Sequence, residues 1–254
     1  MKKLISLLPI LLLLSFACEE STTEQPINNS NDFFPNSNGN YYNFNVLVYD
    51  SSGIFVESGT KKTFYKADTV IYSEPYQVRA DEFQLTSLQT SNNSYFKKNS
   101  TGVFVPVDIE KNGFYYLMPD SLRGGYSFIV EYRMLFEPPE ANQNWQVFKV
   151  DIDLLYIGFE FLKVDAEVVS LDTLSIQYKN TTRNIEAFNI KYSARLTTGL
   201  SQPPILLEAH AWIAKGIGFI KWQGNSELIN FFAGAEIYPR NSIVIEELES
   251  FKVK

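Results

Sequence analysis

Cys18 is the single thiol and His210 the single imidazole in a chain of 254 residues. A zinc centre built on Cys and His draws three or four such ligands, so that chemistry has no parts here. A Ser-His-Asp relay needs only one imidazole, but the Gly-x-Ser-x-Gly turn that would present its serine is missing. His210 lies in Leu206-Leu207-Glu208-Ala209-His210-Ala211-Trp212 and is expected as a surface or hydrogen-bonded core residue. Carboxylates remain. Asp151 and Asp153, like Asp165 and Glu167, stand two apart and so share a strand face. Such pairs can hold Ca²⁺ or perform acid–base glycoside cleavage, yet alternating acids are also the ordinary solvent face of a half-exposed strand. Glu246, Glu247 and Glu249 read the same way. Gly216 and Gly218 flank Ile217, but no Gly-Lys-Ser/Thr follows to cradle a phosphate. No catalytic residue, metal site or cofactor is assigned.

The position of Cys18 says more than its thiol. Met1-Lys2-Lys3 is followed by Leu4 to Phe16, apolar apart from Ser6, Pro9 and Ser15, and then by the small Ala17. This is the grammar of a secretory leader. From Leu4 to Ala17 it is shorter than the roughly 20 residues of a membrane span. Ser15-Phe16-Ala17-Cys18 resembles a bacterial lipobox, although Ser15 stands where leucine is usual and Phe16 is bulky. The resemblance implies cleavage after residue 17, acylation of Cys18 and attachment to the membrane through its acyl chains. The alternative is an ordinary secreted protein cut near Ala17 with a spare thiol. Residues 18–32 then form the lipidated cysteine and a polar, acidic tether with too little apolar surface to repay its ordering. Glu19-Glu20 resembles the acidic export signal of surface lipoproteins in Bacteroidota-like bacteria, so both the periplasmic and the cell-surface face of the outer membrane stay open.

Without residues 1–17 the chain loses two lysines, leaving 20 basic against 29 acidic residues and a formal charge of −9. Nucleic acid is excluded as a partner, because its affinity rests on phosphate neutralisation. Asp68-Thr69-Val70, Asp120-Ser121-Leu122 and Asp172-Thr173-Leu174 resemble the O-glycosylation triplet of the same bacteria.

The elements that would position these residues are strands. In Tyr41–Tyr49 residues 42, 44, 46 and 48 make one apolar face. Asp50-Ser51-Ser52-Gly53 then turns the chain into Ile54-Phe55-Val56. Period-two stretches recur at 69–73, 76–88, 102–107, 126–136, 145–155, 159–169, 173–178, 187–196, 205–214, 217–222 and 243–253. Residues 119–123 could make one helical turn, and Glu227–Ala233 fits helix or strand equally. The expectation is an all-β fold, one large curved antiparallel sheet (half-barrel or sandwich) with little helix. Residues 33–254 are read as a single domain with an internal joint near 137–143.

Phe33-Phe34-Pro35 with Gly39-Asn40-Tyr41-Tyr42, Trp145-Gln146-Val147-Phe148, and Trp212-Ile213-Ala214-Lys215-Gly216-Ile217-Gly218-Phe219-Ile220-Lys221 resemble, in order, three elements of bacterial outer-membrane lipoproteins of unknown function. The last is similar to their near-terminal WxAKGxGxxK hairpin, which also occurs in half-barrel, lipoprotein-carrier-like folds. The resemblance implies an envelope lipoprotein and a curved sheet, and brings no catalytic residues. The leading expectation is therefore a non-enzymatic binding or scaffold role, with other envelope proteins or glycans as partners. One rival is a carrier holding a lipid in a concave face lined by Tyr126, Phe128, Phe148, Phe159, Phe161, Trp212 and Phe219. Another is a surface carbohydrate-active enzyme using the paired carboxylates.

Overall fold

The computed structural model describes residues 31–71, 73–108, 129–154, 157–178, 181–197 and 202–254. Cys18, its flanking residues and the tether up to residue 30 lie outside them. So do Tyr126, Phe128, the Asp120 triplet and the helical turn expected at 119–123.

Twelve strands form one antiparallel sheet in the order β6-β5-β4-β3-β2-β1-β12-β11-β10-β9-β8-β7. They are β1 (Tyr41–Asp50), β2 (Phe55–Ile71), β3 (Glu74–Leu85), β4 (Gln89–Asn99), β5 (Gly102–Asp108), β6 (Ile129–Leu135), β7 (Asn144–Leu154), β8 (Ile157–Tyr178), β9 (Thr181–Leu196), β10 (Ile205–Ala214), β11 (Gly218–Asn225) and β12 (Ser242–Lys252). Pairing of β1 with β12 joins the two ends of the chain, and the sheet curls until β6 comes beside β7. The result is a nearly closed barrel, the all-β curved sheet that the alternation implies.

Alternation decides what points inward. In β10, Leu207, Ala209, Ala211 and Ile213 are buried, whereas Leu206 and Glu208 are exposed. The two stretches expected at 159–169 and 173–178 are one strand, β8, with a register shift between Val168 and Ser170. On both sides of that bulge the odd-numbered residues from 167 to 177 are the exposed ones, and the polar Ser170 and Asp172 interrupt the apolar run of even positions between Val168 and Leu174. Beyond it the β8–β9 hairpin outruns β10, and β8 touches β12, with three strands between them in the sheet.

The undecided segment 226–233 is a helix, α1 (Ser226–Ala233), ended by Gly234 in the left-handed conformation. Every residue of α1 except Glu227 is buried, including the polar Ser226 and Asn230, whose side chains donate to Pro239 O and Tyr238 O. The helix leaves the β11 wall and crosses the interior. Phe231 stacks on Tyr132 of β6, with ring centroids 5.1 Å apart. Phe232 meets Tyr192 of β9 at 4.5 Å and Trp222 of β11 at 5.3 Å. On the opposite wall Arg79 of β3 donates to Phe232 O and Asn92 of β4 to Ala233 O, taking up carbonyls that a helix end leaves without intrahelical partners. The alanines of β10 leave room for this filling.

Candidate functional site

The chain enters the described fold at one end of the barrel, and residues 32–40 close that end. Phe34 is 1% exposed, with the rings of Phe96, Tyr65 and Phe219 at 5.3, 5.8 and 6.1 Å. The backbone around it is fastened on both sides. Gly216 N donates to Asp32 O at 2.7 Å and Phe33 N to Glu137 Oε1 at 2.7 Å. Lys98 Nζ donates to Phe34 O and pairs with Asp32 and Glu137. Asn40 Nδ2 and the Tyr42 hydroxyl both donate to Pro35 O at 3.1 Å. Asn40, fully buried, also accepts from Lys254 N at 3.0 Å and so ties this stopper to the C-terminus. Burial pushes the Glu137 carboxyl up, while the Phe33 amide and then Lys98 pull it back.

Two of the quoted sequence elements thus meet in space. Gly218, at φ +101°, would carry a Cβ 3.4 Å from Pro35 Cδ and 3.7 Å from the Tyr42 hydroxyl. The β10–β11 turn and the Phe33-Phe34-Pro35 segment form one unit, and glycine is required where they touch. An open groove of about 650 Å³ runs beside the stopper, lined in part by Asn36, Ser37, Tyr76, Gln77, Lys97 and Asn99.

Inside the barrel two ion pairs are buried. Lys61 Nζ lies 2.7 Å from Glu246 Oε2, and Tyr238 donates its hydroxyl to Glu246 Oε1 at 2.7 Å. Arg79 Nε lies 2.9 Å from Asp81 Oδ2, whose other oxygen accepts from Thr63 at 2.5 Å. Lys61 also stands over the rings of Phe44 and Phe83, and Arg79 over Phe96. Burial, reinforced by the neighbouring Glu246 charge, holds the Tyr238 hydroxyl well above its ordinary pKa, so it stays a donor. Beneath the stopper lies a cavity of about 30 Å³, bounded by Phe34, Tyr42, Lys61, Thr63, Tyr65 and Arg79, among others. That is room for about two waters at roughly 10–15 Å³ each.

Most residues singled out in the sequence fall elsewhere. Glu246 is inside the barrel, not on the solvent face; Glu247, one position on, is exposed and pairs with Lys221 at 2.8 Å. The carboxylates of β7 and β8 stand on the outer wall beside lysines: Asp151 with Lys149 at 2.9 Å, Asp165 with Lys163 at 2.7 Å, Glu167 with Lys191 at 3.6 Å. The side chain of Asp153 lies outside the described residues, as does that of Phe159. His210 is on the outer wall, bonded to Asn189 at 2.9 Å and Glu208 at 3.1 Å and stacked on Trp212. Trp212 points outward as well and donates to Asp172 Oδ2 at 2.8 Å, which with the other bonds to Asp172 holds that carboxyl below its usual range. Of the aromatics expected on a concave face, Phe148 and Phe161 are buried in the filled interior and Phe219 packs against it. Trp212 is on the other side of the wall. Sequence reading missed Lys61, Thr63, Arg79 and Asp81 altogether. Their charge mimics a solvent face, and only the closure of the sheet turns them inward.

No family profile matches this chain, and no curated protein matches it. Among solved structures, it is similar to a candidate lipoprotein from Parabacteroides distasonis ATCC 8503. That likeness has a TM-score of 0.43 and 14% identity over 87% of this chain and 98% of that one. It is also similar to a candidate exported protein with a YmcC-like fold from Bacteroides fragilis NCTC 9343. Here the TM-score is 0.44 and the identity 12%, over 87% of this chain and 98% of that one.

Proposed function

We propose that this protein is a lipid-anchored, non-enzymatic component of the bacterial cell envelope. It is held to the outer membrane by acyl chains on Cys18 and acts through the outside of its barrel as a binding or scaffold element. The observation that supports this most is the filling of the barrel. Helix α1 crosses the interior, the stopper closes the end where the chain enters, and the cavity beneath the stopper is about 30 Å³. A site for a drug-sized apolar ligand needs roughly 300–1,000 Å³, so a lipid carrier working inside this barrel is the weaker reading. The paired carboxylates lie on the outer wall among lysines, which favours solvation over glycoside chemistry there. Partners are expected among envelope proteins or glycans.

Replacing Cys18 by Ser tests the anchor. The variant should leave the membrane fraction, and retention after a carbonate wash would refute lipidation. The released domain should bind an apolar reporter dye only weakly. Strong saturable binding, or lipid co-purifying with the domain, would favour the carrier instead.

A further inference from the structure

The groove beside the stopper holds polar groups that the fold does not use. On β3, Gln77 is two residues from the inward-facing Arg79 and so shares its face, and Asp68 of β2 stands opposite Gln77. Both therefore point to the concave side of the sheet, just past the level at which Tyr65 bonds to the stopper through Asn40 and Gly39. Asn36 and Ser37 reach the same groove from the stopper, and Lys98 and Asn99 from the end of β4. At about 650 Å³ the groove falls within the roughly 300–1,000 Å³ of small-molecule sites, whereas the cavity beneath the stopper is about 30 Å³.

Charge and hydrogen bonding narrow the occupant. Asn36, Ser37, Asp68 and Gln77 make no side-chain hydrogen bond or ion pair among the described residues. Two amides, a hydroxyl and a carboxylate thus offer donors and acceptors side by side. The cations at the groove are already taken: Lys97 pairs with Glu74 and Glu131, and Lys98 with Asp32 and Glu137. An anion would meet the unpaired carboxylate of Asp68 and no free cation among the described residues that line the groove. An apolar ligand would strip water from four polar side chains and return no hydrogen bond. A neutral polyhydroxylated ligand satisfies donors and acceptors together, and Pro75 gives its carbon skeleton an apolar wall.

We infer that this groove binds a neutral oligosaccharide, with Asn36, Asp68 and Gln77 hydrogen-bonding its hydroxyls. The inference rests on the binding role proposed above and names the partner class and the place. The groove lies outside the closed interior, so the filled barrel does not block it.

The test uses the full-length Cys18→Ser protein in solution. The probes are neutral hexasaccharides of glucose, mannose, galactose and N-acetylglucosamine, with hexagalacturonate as the anionic counterpart, and binding is read by saturation-transfer NMR and titration. At least one neutral probe should bind, at least tenfold more tightly than hexagalacturonate. Asp68→Ala and Gln77→Ala remove side chains with no partner to lose, so each should keep the melting temperature and weaken binding about three- to tenfold. If either lowers the melt, Asn36→Ala supplies the same readout from the stopper side. Binding that these substitutions leave unchanged would overturn the groove as the site. Silence from every neutral probe, or a preference for hexagalacturonate, would overturn the saccharide, and capture of a neutral Ser/Asn-rich decapeptide in its place would assign the groove to a protein partner. None of these outcomes touches the anchor, which fractionation of Cys18→Ser tests separately.

Discussion

Phe34 offers the sharpest test of how the stoppered end is built. Replacing it with Ala removes a ring that is 1% exposed and surrounded by Tyr65, Phe96 and Phe219 at 5.3–6.1 Å. The lost transfer energy of a buried Phe is about 1.5–3 kcal/mol. The site cannot collapse freely, because Pro35, Asn40 and Tyr42 pin the segment on one side and Gly216 and Lys98 on the other. A cavity penalty therefore adds, and Phe→Ala in such sites costs about 3–5 kcal/mol in all. The new void would merge with the existing cavity of about 30 Å³. The assay is urea unfolding of the Cys18→Ser protein, followed by tryptophan fluorescence, with and without Phe34→Ala. The midpoint should fall with the slope unchanged, since the surface exposed on unfolding is nearly the same. In a thermal scan the loss corresponds to roughly 6–20 °C for a domain of this size. A cost below about 1 kcal/mol would mean that Phe34 is a loosely attached arm, and the account of the stopper as part of the core would fail.

Gly218→Ala should cost about 1–2 kcal/mol by forcing a side chain into positive φ against Pro35, read as a lower midpoint in the same urea series. Lys61→Met should be severe, about 3–5 kcal/mol, because it strands Glu246 inside the barrel, and Lys61→Met with Glu246→Leu should recover most of that loss; a double variant no better than the single one would contradict the pairing. The Tyr132 hydroxyl is buried with no hydrogen-bond partner among the described residues, so Tyr132→Phe should leave stability unchanged or raised, while Tyr238→Phe, which takes a donor from Glu246, should cost about 1–3 kcal/mol by thermal melt. The Asp172 carboxyl is depressed chiefly by the Trp212 indole, so its contribution is present above the ordinary aspartate range and is lost as pH falls through the lowered folded value; Trp212→Phe should flatten that acid limb in a pH series of melts, and an unchanged limb would discount the bond.

The sequence alone determined the strand-rich class, because residues 42, 44, 46 and 48 alternate with the period of a pleated sheet and that period survives any tertiary arrangement. It singled out Cys18 by its place behind a short apolar run, which is a matter of order along the chain and not of contact. It also singled out the Phe33-Phe34-Pro35 segment and the Trp212–Lys221 hairpin, though not their relation. Only the tertiary structure decided that these two meet at Gly218 to stopper one end. Their separation of about 180 residues is bridged by the pairing of β1 with β12, a long-range choice that no local pattern encodes. The same holds for the inward face of β2. Glu57, Lys61 and Thr63 look like a solvent face, and the polar Ser170 and Asp172 split β8 into two apparent strands. Segment 226–233 was ambiguous for a related reason: eight residues are too few for a period to decide helix from strand, and its structure was settled by the interior space left for it beside the alanines of β10. Period and order are local properties of a chain. Which side of a curved sheet is inside is fixed only when the sheet closes.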